Sequence, residues 1–133
     1  METGLFNLIK TKKMTQERKD LLLKDLSARL PYGVKFSYVS DKDKTQFVLS
    51  EIGMLMRYSI EEGHVMPYLR PMSSMTEEEE REFKSTCNII GFYKDGEFAC
   101  TPEGYDWLNA HHFDYRGLIP MGLALEAKEG MYE

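Results

Sequence analysis

Cysteine is scarce: Cys87 and Cys100 are the only two in 133 residues. Two are too few for the disulfide framework of a small secreted domain, and the lack of any CxxC removes the usual redox and zinc spacings. Both are read as thiols. Long apolar runs are missing as well. No stretch approaches the roughly 20 residues that span a bilayer, and Met1 to Lys13 has neither the apolar region nor the small-residue cleavage site of a secretory signal. A cytoplasmic location, away from membranes, is therefore expected. There is no Gly/Ser linker, internal repeat or low-complexity tract to divide the chain. GxGxxG, GxxxxGK, GxSxG and HExxH are all absent, which leaves the common nucleotide-binding and hydrolase routes unsupported.

What is present has the balance of a globular domain, with 42% hydrophobic and 29% charged residues. At this length one core is expected, in a single domain over 14–133 behind a flexible leader of residues 1–13. The formal net charge of −5 repels a phosphate backbone and argues against nucleic acid as a partner. Lys10, Lys12, Lys13, Arg18 and Lys19 do crowd the first segment, but so short a run reads as a solvated leader entering a charged helix face.

Thr15 is a suitable N-cap, and Leu22, Leu23, Leu26 and Leu30 follow at helical spacing, so a helix is expected over about 16–30. Pro31 and Gly33 stop it. Val34, Phe36 and Tyr38 then alternate with Lys35 and Ser37 as in a strand with one buried face. Gln46–Ile52, Met54–Ile60 and His64–Leu69 read as further strands, with Gly53 a bend or bulge between the first two. Their short connections imply an antiparallel meander. Thr76 with Glu79 three residues on spells a capping box, and the flanking glutamates suit the positive end of a helix running to about Ser85. Asp95-Gly96 predicts a hairpin between Ile89–Tyr93 and Glu97–Cys100. Thr101-Pro102 opens a third helix ending near His111 to Phe113. Leu118 to Leu125 is read as short turns or a final strand. The expected fold is therefore α+β: an antiparallel sheet, meander plus hairpin, packed with about three helices.

Few residues carry chemistry. His111, His112 and Asp114 are metal-ligand types, but neighbours on a helix point about 100° apart, whereas helical zinc sites space histidines by four. A helix-end structural corner is the plainer reading. Cys100 precedes a helix N-terminus, which lowers a thiol's pKa, yet its strand alternation with Phe98 favours a buried, inert thiol. Four consecutive glutamates, 77–80, share one environment and lack the divergent pKa values that acid–base work requires. No cofactor is expected. The run Tyr68, Leu69, Arg70, Met72 and Met75 is rich in interface residue types, although core packing is the commoner fate of such a run in a small domain.

Three blocks carry a resemblance. Leu21-Leu22-Leu23-Lys24-Asp25-Leu26 with Ala28 to Val34, Pro67 to Glu79, and Asp106 to Ile119 look like a family of short hypothetical proteins of gut Bacteroides-type bacteria and their phages and mobile elements. The resemblance implies a start near Met14-Thr15, which fits 1–13 as a leader. It also implies variable segments at about 35–65 and 88–100, a natural place for target-specific surface. On this footing the first expectation is a non-enzymatic accessory protein that binds a host or phage protein through Tyr68, Leu69, Arg70, Met72, Trp107 and Arg116. The alternative is a small enzyme or a metal- or ligand-binding domain using the His111 to Arg116 cluster, with His111, His112 and Asp114 as its ligands.

Overall fold

The computed structural model describes residues 15–50, 65–87, 92–94 and 97–132. The expected leader 1–13, the strand at 54–60, the Gly53 bend and the Asp95-Gly96 turn lie outside them. Helix α1 spans Gln16–Arg29, with the Thr15 hydroxyl accepting from the Arg18 amide at 3.2 Å as an N-cap should. A 3-10 turn, Leu30–Tyr32, follows, and Gly33 ends it at φ +65, a left-handed conformation that glycine adopts at little cost. Strands β1 (Lys35–Tyr38), β2 (Phe47–Val48) and β3 (Val65–Leu69) come next, then a 3-10 turn at Met72–Ser74 and α2 (Glu77–Cys87). The hairpin strands β4 (Phe92–Lys94) and β5 (Glu97–Ala99), α3 (Pro102–Ala110) and β6 (Leu125–Glu126) complete the order among the described residues.

The protein is a small α+β domain with a mixed four-stranded sheet, in the order β2-β1-β3-β6, and a separate β4-β5 hairpin. The antiparallel pairing holds, since β1 pairs antiparallel with both β2 and β3, but the expected meander does not: β1 lies between β2 and β3, so β3 joins the far edge of β1 instead of following β2. The fourth strand differs: β6 runs parallel to β3, with Tyr68 opposite Leu125 and Leu69 opposite Glu126. Parallel neighbours need a long crossover. The chain supplies one, because α2, the hairpin and α3 all lie between β3 and β6. Ser37 is another departure. Simple alternation places it in solvent, yet it is fully buried, sharing a 2.9 Å hydrogen bond with the Tyr68 hydroxyl and donating to the Thr45 carbonyl.

Two apolar clusters form the core. Leu22 and Leu26 of α1 pack with Phe36, Val65, Leu69, Leu118 and Leu123 around the sheet. Phe83, Cys87, Trp107, Leu108, Phe113 and Tyr115 form the second, between α2 and α3. The capping box forms as expected: the Thr76 amide donates to Glu79 Oε1 at 3.0 Å, and the Glu79 amide donates to the Thr76 hydroxyl at 3.1 Å.

Helix α3 ends in a Schellman motif. The His112 amide donates to the Asn109 carbonyl at 3.1 Å and the Phe113 amide to that of Leu108 at 3.0 Å. The left-handed residue of such an ending is usually glycine, but here it is His112 at φ +64. Its imidazole stacks on Tyr132, with centroids 3.6 Å apart and planes 17° from parallel. That contact, which glycine lacks, offsets the backbone strain. Burial drives the His112 pKa down to about 4, and the nearby Arg29, His111, Arg70 and Lys35 push the same way. Since the unfolded imidazole takes its proton near 6.5, the folded state binds fewer protons between these values. The stability His112 contributes is complete above pH 6.5 and is lost as pH falls through about 4. Urea titrations should show a loss on the order of 2 kcal/mol across that window. His112→Asn, which tolerates the left-handed backbone, should remove this part of the pH dependence.

Candidate functional site

The helix-end segment 111–116 is where the chemistry-bearing residues gather, and each is held by a different partner. His111 stacks on Trp107 at 3.9 Å and donates through Nδ1 to the Trp107 carbonyl at 2.8 Å. His112 turns the other way, onto Tyr132. The Asp114 carboxylate accepts from the Leu118 amide at 2.8 Å and the Ile119 amide at 2.9 Å, fixing the turn that follows. Burial raises its pKa, against the lowering effect of those two amides. Tyr115 donates to Asn109 Oδ1 at 3.0 Å. His111, His112 and Asp114 therefore do not converge. Among the described residues no three His, Cys, Asp or Glu side chains are grouped to hold a metal ion.

Beneath this segment lies a buried ionic triad that spans the two clusters. Arg29 and Asp25, both fully buried, pair at 2.8 Å across one turn of α1. Arg116 Nη1 reaches the other Asp25 oxygen at 2.8 Å. Arg29 Nη2 donates to the Phe113 carbonyl at 2.6 Å, and both guanidiniums lie near the Tyr115 ring. One carboxylate thus faces two cations, and the carbonyl takes up part of the excess.

Arg70 forms a second node. Its two terminal nitrogens grip Glu79 at 2.8 and 2.7 Å, a bidentate pair with planar match, while the guanidinium lies 4.1 Å from the centre of the Phe113 ring. Glu79 so bound is held at about pKa 2, chiefly by the Arg70 hydrogen bond. Around this pair opens a cleft of about 710 Å³, lined by Arg70, Ser73, Ser74, Thr76, Glu79 and His111 on one side and by Glu126–Tyr132 on the other.

The six expected partner-binding residues divide accordingly. Tyr68, Leu69 and Trp107 are buried, so their side chains serve the core. Met72 is half-buried against the second cluster. Arg116 belongs to the triad. Arg70 alone of the six lines the cleft. Sequence reasoning missed Asp25, Arg29 and Tyr132. The first two sit at i+3 and i+7 from Leu22, on the stripe that defines the buried face, and that spacing was the available signal. Tyr132 carried none. It acts through a 2.7 Å donation to the Tyr68 carbonyl and a 2.8 Å bond accepted from the Lys35 amide.

Two variants test the nodes by urea unfolding. Asp25→Asn leaves two guanidiniums uncompensated, one of them fully buried, and should cost about 3–5 kcal/mol. Glu79→Gln should cost about 1–2 kcal/mol at pH 7. The Glu79 contribution is present above pH 4.5 and vanishes as pH falls toward 2, so wild type and variant should converge there.

No family model, no curated protein and no solved structure matches the chain.

Proposed function

We propose that this protein is a non-enzymatic binding module, carried by a phage or mobile element and acting in the cytoplasm, that takes an extended segment of a host or phage protein into the cleft beside Arg70. The cleft is the observation that carries the reading. Its volume lies within the range of functional pockets. Its walls present exposed hydroxyls and charges from Ser73, Ser74, Thr76, Glu126, Lys128 and Glu129. Because Glu79 and Arg70 neutralise each other, Glu126 and Glu129 outweigh Lys128, so a segment bearing Lys or Arg suits the site best. The Arg70–Glu79 pair and the His111 ring are engaged in structural bonds, which supports a binding site more than a reacting centre. No helix among the described residues is long and apolar enough to cross a membrane.

The alternative, a small enzyme or metal-binding domain built on His111, His112 and Asp114, draws less support because each of the three faces a different partner.

The test is purification of the tagged full chain from a Bacteroides-type host, with and without phage infection, beside the charge reversal Glu126→Lys/Glu129→Lys. A stoichiometric protein partner bound by wild type and weakened at least tenfold by the reversal, with salt-sensitive affinity, is the expected result. A partner indifferent to the reversal, or a chain that purifies alone in every condition, would sink the proposal.

A further inference from the structure

Cys87 closes α2, and Cys100 lies immediately before the Thr101 cap of α3. The two meet at Gly104. A Cβ added to this glycine would overlap the Cys100 sulfur and lie 3.0 Å from the Cys87 Cβ, so both side chains converge on one point above the α3 backbone. Glycine at 104 is what makes room for them. The thiols are hydrogen-bonding partners, and Cys87 Sγ also donates to the Phe83 carbonyl at 3.1 Å. The thiols are thus already within hydrogen-bonding reach of each other, and rotating the sulfurs together with a small approach of the two chain segments brings them to the Cβ separation of about 3.5–4.5 Å that a disulfide requires.

We propose that Cys87 and Cys100 are an oxidative modification site, at which a small peroxide forms an intramolecular disulfide that staples the end of α2 to the start of α3. Cys100 is half-buried and Cys87 only 4% exposed, so peroxide meets Cys100 first. The Cys100 thiolate attacks one peroxide oxygen, the O–O bond breaks, and hydroxide leaves to be protonated as water. The sulfur is now a sulfenic acid. Cys87, turning from the Phe83 carbonyl, attacks that sulfur; the S–S bond forms, the S–O bond breaks, and the hydroxyl leaves with the Cys87 proton as a second water. Two thiols are oxidised and one peroxide is reduced. Burial, reinforced by the neighbouring Cys87, raises the Cys100 pKa to about 11. The first step is therefore slow at neutral pH, and the pair answers sustained rather than brief oxidation.

The full chain is incubated with hydrogen peroxide at pH 9, where about one Cys100 in a hundred is ionised. Intact-mass analysis should show the loss of two hydrogens per chain, and trypsin cutting at Lys94 should yield a linked peptide containing Cys87 and Cys100. Dithiothreitol should reverse both. Cys87→Ser should instead accumulate a dimedone-trappable sulfenic acid at Cys100. Because the wild-type readout needs no variant, it stands even if that substitution disturbs folding. Oxygen adducts on wild type without the linked peptide, disulfide-joined dimers, or an unchanged mass after a control thiol peptide is fully oxidised would each overturn the proposal.

Discussion

The Asp25 carboxylate is the group on which most of the structure depends. It is fully buried, accepts from Arg29 and Arg116, and so fastens α1 to the 113–116 segment that follows α3. Charges buried this deeply cost several kcal/mol each to desolvate, and the bonds made by Asp25 and by Arg29 Nε and Nη2 offset that cost, while Arg29 Nη1 stays buried without a hydrogen-bond partner. A hydrophobic contact at this point would tolerate sliding. An ionic triad does not, so the two apolar clusters are held in one register, with the Phe113 carbonyl and the Tyr115 ring as part of the fixing.

The second constraint is the left-handed His112. The Schellman ending places Phe113 back against Leu108 and turns the backbone so that Arg70 bridges Phe113. Arg70 then holds Glu79, and Glu79 caps α2. The end of one helix is thereby connected to the beginning of another through a single arginine, and the cleft opens where these two meet the 126–132 segment.

Much of the fold was legible because local rules and tertiary structure agree. Thr15, Thr76 with Glu79, and Thr101 with Pro102 all cap the helices their spacing implied. The disagreements come from contacts that sequence neighbours do not announce. The parallel pairing of β6 joins strands far apart in the chain, and Ser37 is buried because Tyr68 and Thr45 satisfy its hydroxyl. Of the site, the capping glutamate was visible as a cap but not as an ion-pair partner, since Arg70 meets it only after the chain has turned. Asp25 and Arg29 were hidden by their charge: a helical stripe read for apolar residues alone passes over the two polar members that complete it. The burial of Tyr68, Leu69 and Trp107 follows the ordinary tendency of an apolar run in a small domain.

The bond between the Lys35 amide and the Tyr132 hydroxyl joins residues 97 apart in sequence. Closing so large a loop gives no return until the intervening chain is ordered, which places this contact late in folding. On the reverse path it is among the first to open, because the segment 126–132 rests on two short β6 pairings, one ring stack and a few hydrogen bonds, while α1 is anchored through buried ions. Amide exchange should accordingly be graded along the molecule, fastest beside the cleft and slowest in α1. The wall of the cleft formed by 126–132 can then open at a free energy below that of global unfolding.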